Sequence, residues 1–200
     1  YSSIGAAPQD LKYKGENSRV LIGSRNIIRE FVTVHRGTQG GGMLTRIGDD
    51  VLLQAYVHVA HDCHVGDHAI LSHGATLGGH VTIGDWAIVG AWSGVHQFCR
   101  VGRHSMIGGY SVVTQDVLPY STTVSPREMR IFGANRIGLE RRGFPDDAIE
   151  TLQTMFRILT RAGLNTTQAL EKIREEIGSD HAEVEEVLTF LSQSQRGFVK

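Results

Sequence analysis

Every sixth residue from position 47 to position 113 is aliphatic: Ile47, Leu53, Val59, Val65, Leu71, Leu77, Ile83, Val89, Val95, Val101, Ile107 and Val113. Two positions before each stands a small or β-branched residue, from Thr45, Val51 and Val57 to Cys99, Ser105 and Ser111. A helix places apolar residues at a period near 3.6, and an amphipathic strand at about 2. A period of six fits neither. It fits a short strand and a turn, repeated without a slip, three of which close one coil. The aliphatics then point inward, the small residues fit a narrow interior, and coils stack at the strand spacing of roughly 4.8 Å. The pattern predicts a parallel β-helix of hexapeptide repeats. An earlier copy runs through Ile22, Ile28 and Val34, and Ile4 begins another. Handedness does not follow from the period.

Two segments break the repeat, "AAPQDLKYKGENSR" at 6–19 and "HRGTQGGGMLTR" at 35–46. Loops grafted on a rigid solenoid are where function is usually carried. After "QDVLPYS" the period becomes helical. Ala148, Ile149, Leu152, Met155, Phe156 and Leu159 make one apolar face. Gly163 ends that helix, and Asn165 or Thr166 caps a second that runs to about Ile177. Gly178 and Ser179 precede a third, with Val184, Val187, Leu188 and Leu191 facing inward. The expected organisation is a β-helix over 1–120, a connecting segment over 121–144, and a small α-helical domain over 145–200 that caps the open coil.

Composition narrows the class. Glycine is heavy at 24 residues and proline light at 4, which suggests many tight turns in an ordered protein. A formal net charge of −1 gives no sign of nucleic acid or an anionic membrane as partner. No apolar run approaches the ~18 residues of a transmembrane segment. Cys63 and Cys99 occupy the small inward position two coils apart, too far for a disulfide, and read as core. The chain opens "YSSIG", without methionine and already repeat-like, so earlier coils are expected to precede this numbering.

Candidate chemistry centres on "AYVHVAHDCHVG" at 55–66. With 18 residues per coil, residue n lies beneath n+18. His61 then lies beneath Gly79, Asp62 beneath His80, and His58 beneath Thr76. None of His58, His61 and His64 takes an inward position. Zinc would need three ligands converging at about 2.0–2.1 Å, and histidines three apart on a bent strand face different ways. Surface histidines that merely hydrogen-bond are a second possibility. A general base explains more: His61 has Asp62 beside it to orient the imidazole, and the Gly79 N–H one coil away can hold an oxyanion.

Several motifs coincide: "GAAPQDLKYKGE", "VTVHRGTQGGGMLTRIG", "HVAHDCHVGDHAILSHGATLGGHVTIGD", "GVHQFCRVG" and "GLERRGF". Together they resemble the UDP-N-acetylglucosamine O-acyltransferase family, which begins lipid A synthesis, over nearly the whole chain. The resemblance implies a cytoplasmic homotrimer of left-handed β-helices with active sites between subunits. It implies transfer of an (R)-3-hydroxyacyl chain from the phosphopantetheine thioester of acyl carrier protein to the sugar 3-position, with no metal and no bound cofactor. By the same resemblance, His61 is the catalytic base, Asp62 orients it and the Gly79 amide holds the oxyanion. Asp10 and Lys12 match loop residues that hold the glucosamine, and Gln9 lies beside the diphosphate. His58 and His80 match further sugar contacts, and Gln97 a contact to the acyl 3-hydroxyl. Asn135 and Arg142 match contacts to uridine and phosphates, for which a guanidinium fork is suited. His96 and Gly109 match the acyl-chain groove.

Two stretches depart from the family. "TTVSPREMRIFG" replaces a Gly-Asn-x-Ala stretch that bounds the acyl groove, and Met129 or Arg130 is placed to close it. Ile137 stands where the family often carries an acidic residue for the ribose. Two other enzymes use the same coil. The N-acyltransferase acting on UDP-3-O-acylglucosamine normally has an N-terminal uridine-binding domain and lacks the "HRGT" loop. The γ-type zinc hydratases bind metal with histidines across a subunit boundary. Both a 3-hydroxy sugar and its 3-amino analogue remain compatible with these residues as acceptors.

Overall fold

The structure is a computed structural model that describes residues 1–124, 130–161, 163–178, 180–194 and 197–199, without the side chains of residues 130 and 161. The "SPREM" stretch, including Met129, and the side chain of Arg130 lie outside the described residues, as does Ser179.

Three parallel sheets wrap one triangular coil. The first runs through Ser3–Ala6, Thr33–His35, His58–Val59, Thr76–Leu77, Gly94–Val95 and Val112–Val113. The second runs through Arg19–Ile22, Leu44–Ile47, His64–Val65, Thr82–Ile83 and Arg100–Val101. The third runs through Ile27–Ile28, Leu52–Leu53, Ile70–Leu71, Ile88–Val89 and Met106–Ile107, then continues into Ser121–Val124 and the antiparallel Arg130–Ala134. His58 pairs with Thr76 and Thr76 with Gly94, a step of 18 residues. Across the second loop Val34 pairs with Val59, and across the first Ile4 pairs with Val34. Each loop is therefore extra chain extruded from one coil, and the sheets resume their register after it.

All twelve inward aliphatics from Ile47 to Val113 are buried, none more than 3% exposed. Ile4 and Ile22 hold the same position in the first described coil and are 42% and 36% exposed. Cys63 and Cys99 are not disulfide-bonded and are fully buried. Burial pushes the Cys63 thiol up to about 12, which keeps it protonated and unreactive.

Glycine serves a different purpose from the expected one. The left-handed corner residues, three after each inward aliphatic, are mostly not glycine: Asp50, Tyr56, Asp62, His68, His80, Trp86, Trp92, Phe98, His104 and Tyr110 all have positive φ. Only Gly74 among them is glycine. The repeat glycines sit where the next coil comes too close for a side chain. A Cβ on Gly84 would lie 2.5 Å from the Arg103 amide nitrogen. A left-handed residue costs roughly 1–2 kcal/mol. Ring stacking along the corners offsets part of that, as with His68 on Trp86 at 3.9 Å and 15° and His80 on Phe98 at 4.4 Å and 6°.

The described residues of 121–144 carry regular structure. They hold the strand pair just described and a short helix, α1 (Arg136–Arg141). Then come α2 (Asp146–Arg161), α3 (Thr166–Glu176) and α4 (Ala182–Ser192). Asn165 caps α3 in a reciprocal box with Gln168. Ile149, Leu152, Met155 and Phe156 of α2 pack with Ile173 and Val187 in a core continuous with the solenoid. Asp116 ties the two together: buried, it accepts from the Arg100 amide and guanidinium and from the Ser194 hydroxyl.

Candidate active site

The corner between the first and second sheets stacks His61, Gly79 and Gln97 in one column, with Asp62, His80 and Phe98 beside them. The His80 N–H donates to the His61 carbonyl and the Phe98 N–H to the Gly79 carbonyl, each at 3.0 Å. The His61 Nδ1 lies 2.8 Å from Asp62 Oδ2, with the Asp62 side chain fully buried and that of His61 15% exposed. An ionised Asp62 assigns the proton to Nδ1 and leaves the Nε2 lone pair free. That Nε2 faces Gly79: a Cβ there would lie 2.7 Å from it. Among the described residues the Gly79 N–H donates to no group. His61, its carboxylate partner and a glycine with an unused N–H thus share one corner.

Two further histidines surround the pair. The His80 ring stands edge-on to His61 at 5.1 Å, and its Nε2 is 3.9 Å from Asp62 Oδ2. His58 Nδ1 is 2.7 Å from the Thr33 hydroxyl, and buried His35 meets the His58 ring edge-on at 4.9 Å. Burial lowers the basicity of His58 and His80; His61 adds to the effect on both, while Asp62 and Asp10 oppose it at His80. These imidazoles are held neutral near pH 7 and suited to donate and accept hydrogen bonds from a sugar. Arg36 grips Tyr13 of the first loop two residues before Thr38 reaches Asp62, which brings that loop to this corner. There the Lys12 N–H donates to Asp10 Oδ1 at 3.0 Å, and the Lys12 and Gln9 side chains are exposed. His61, Asp62 and His80 are also the one group among the described residues whose ligand atoms lie close enough to hold a metal, within 4.8 Å of one another. His61 Nδ1 and Asp62 Oδ2 are already spent on each other.

The remaining expected residues lie one coil further along this corner or at the other two. Gln97 and His96 are exposed one coil above Gly79, with His96 Nδ1 3.1 Å from the Gln97 carbonyl. Asn135 and Arg142 lie at the corner between the second and third sheets. The Asn135 amide donates to the His104 carbonyl at 2.9 Å. Arg142 donates to the Trp86 carbonyl at 3.2 Å and lies over the Trp86 ring. Burial pushes the His104 imidazole down to about 4 and lowers the Arg142 guanidinium too. Ile137, beside them, is 63% exposed. Gly109 lies at the third corner, three residues past Met106, and is exposed. The expected site residues therefore occupy three different corners of one chain.

Residues 116–199 match the family model described as "Udp N-acetylglucosamine O-acyltransferase; Domain 2", and residues 44–79 match the bacterial transferase hexapeptide model. An acyl-[acyl-carrier-protein]--UDP-N-acetylglucosamine O-acyltransferase from Burkholderia mallei (strain SAVP1) is 47% identical over 203 residues, covering 100% of this chain and 77% of its own. The chain belongs to the UDP-N-acetylglucosamine O-acyltransferase family. Among solved structures, the UDP-N-acetylglucosamine acyltransferase from Bacteroides fragilis is 41% identical, with a TM-score of 0.96 over 100% of this chain and 77% of that one. The enzyme of the same name from Francisella novicida is 39% identical, with a TM-score of 0.94 over 100% and 72%. The coil is accordingly the left-handed β-helix of this family.

Two features of this acyltransferase lie outside the hexad of inward aliphatics. Leu52, Ile70, Ile88 and Met106 form a half-buried apolar stripe on the outside of the third sheet, each paired to the next. The signal was present: the residue before the inward aliphatic is apolar at every third repeat. The other is Thr38, whose N–H donates to Asp62 Oδ1 at 2.8 Å and whose hydroxyl donates to Oδ2 at 2.6 Å. No periodicity marks a loop residue.

Proposed function

We propose that the chain transfers an (R)-3-hydroxyacyl group from acyl carrier protein to the 3-hydroxyl of UDP-N-acetylglucosamine, as a homotrimer in lipid A synthesis. The observation that carries the mechanism is the Asp62-oriented His61, whose Cε1–Nε2 edge lies against Gly79, a residue with an unused N–H. His61 Nε2 takes the 3-hydroxyl proton as that oxygen attacks the thioester carbonyl carbon. The charge that develops on the carbonyl oxygen is held by the Gly79 N–H. Collapse of the tetrahedral species breaks the C–S bond, and the departing phosphopantetheine sulfur takes the proton back from His61. His58, His80, Gln9, Asp10 and Lys12 hold the sugar and diphosphate, and Gln97 the acyl hydroxyl. Asn135 and Arg142, on another corner, serve the nucleotide of a neighbouring subunit's site. His96 and Gly109 bound the acyl chain, which lies against the stripe from Leu52 to Met106. A site spread over three corners, together with an outward apolar stripe, supports assembly of copies around it. No helix among the described residues is long and apolar enough to cross a membrane.

The decisive experiment offers purified protein UDP-N-acetylglucosamine, its 3-amino analogue and UDP-3-O-acylglucosamine, with a ladder of hydroxyacyl carriers. The 3-hydroxy sugar should be acylated. Exclusive reaction with UDP-3-O-acylglucosamine would instead identify the N-acyltransferase. The His61, Asp62 and His80 group keeps a zinc hydratase testable. Sedimentation should give a trimer, and exhaustive chelation should leave transfer intact; stoichiometric zinc, with activity lost on its removal, would contradict the mechanism. Lys12→Ala should raise the sugar-nucleotide KM more than it lowers kcat, because an exposed loop lysine contributes ground-state binding. A pure kcat defect would assign Lys12 to the chemical step.

A further inference from the structure

We propose that the second loop contains two positioning residues with separate tasks. Thr38 locks the Asp62 carboxylate that orients His61, and Arg36 holds the first loop, with Asp10 and Lys12, over the same corner. The inference rests on the acyltransferase reading above.

A carboxylate bonded only to a histidine has a soft terminal torsion and can rotate away from it. Asp62 cannot. Its Oδ1 accepts the Thr38 N–H at 2.8 Å, and its Oδ2 accepts the Thr38 hydroxyl at 2.6 Å along with His61 Nδ1. Thr38 is 5% exposed, so water does not compete for these bonds. The loop turns back on itself to present them: the Gly41 and Met43 N–H groups both donate to the Thr38 carbonyl, at 3.1 and 2.9 Å. It lies closer to the carboxylate than a side chain would allow, since a Cβ on Gly41 would be 2.0 Å from Asp62 Cγ. Both Asp62 oxygens are thereby tied, and with them the Nδ1–H tautomer that leaves Nε2 as base.

Arg36 points the other way. Its Nη2 and Nε donate to the Tyr13 hydroxyl at 2.6 and 2.9 Å, and its Nη1 donates to the Gly5 carbonyl at 3.2 Å. The guanidinium also lies over the Tyr13 ring, and the Tyr13 hydroxyl donates to the Glu16 carbonyl at 3.0 Å. Between Ala6 and Arg19 the first loop forms no strand, so this latch is a principal tie on its position. Thr38 therefore acts on the chemical step and Arg36 on sugar binding.

The two tasks separate in steady-state kinetics with UDP-N-acetylglucosamine. Thr38→Val keeps the shape and the N–H bond but removes the hydroxyl. A hydrogen bond to a charged group is lost, so kcat should fall about ten- to hundredfold with KM changed by less than about threefold. Thr38→Ser restores the hydroxyl and should recover most of kcat. Arg36→Met should raise the sugar-nucleotide KM about tenfold or more, with kcat changed by less than about threefold. Unchanged kinetics in Thr38→Val, or failure of Thr38→Ser to recover kcat, would overturn the Thr38 role. An Arg36→Met defect confined to kcat would overturn the Arg36 role. A common loss of kcat, affinity and melting temperature in both variants would show a merely structural loop. His61→Ala, assayed alongside, separates the two levels: if it is active, the acyltransferase mechanism fails; if it is inactive while Thr38→Val is normal, only the positioning role fails.

Discussion

His61→Ala should abolish detectable transfer while leaving the fold and assembly intact. The imidazole is 15% exposed at a corner and contributes nothing to the inward aliphatic column, so its removal leaves the solenoid core untouched. A positioned base typically contributes about 10²–10⁴-fold to rate. The loss should appear in kcat, since the proton moves only as the 3-hydroxyl attacks. Unchanged circular dichroism and sedimentation would confirm that chemistry alone was removed. Near-normal turnover would exclude His61 as the base.

Gly109→Met should shift preference toward shorter acyl chains. Gly109 is exposed three residues beyond Met106, where the outer apolar stripe reaches the corner. A Cβ there would lie 3.2 Å from the Ala91 carbonyl oxygen, a contact that a shift of a few tenths of an ångström relieves. In the proposed acyl site, the rest of the methionine side chain would then occupy volume that glycine leaves open. Wild type should accordingly prefer a long hydroxyacyl chain. Each methylene excluded forfeits about 0.8 kcal/mol of burial, so discrimination should reach tens of fold within two or three carbons. Relative kcat/KM across the carrier ladder measures it. An unchanged length profile would place the limit elsewhere, with the stretch around Met129 and Arg130 the first alternative to test.

The coil was legible because its determinants are local and periodic. The inward aliphatics and the small residues before them define a prism whose 18-residue step also predicts the stacking of His61 under Gly79 and Asp62 under His80. The same arithmetic cannot reach the loops. Thr38 contacts Asp62 across 24 residues because the second loop folds back, and its extra length obscures the register. The pair Ser121–Val124 and Arg130–Ala134 was missed because "STTV" and "RIFGA" carry no hexad and pair in antiparallel fashion. At six residues, α1 is too short for an apolar face to show. Glycine count misled on the turns, since stacking rings rather than glycines occupy the left-handed corners.

The central claim is acyl transfer to oxygen by a histidine base, and one single-turnover measurement tests it most directly. Excess enzyme is mixed with a long-chain (R)-3-hydroxyacyl carrier protein and UDP-N-acetylglucosamine, and free carrier thiol and sugar product are followed together. The account predicts one 3-O-acyl ester formed for each thiol released by wild type, and neither by His61→Ala. Thiol release without ester, or ester formation by His61→Ala at the wild-type rate, would contradict it.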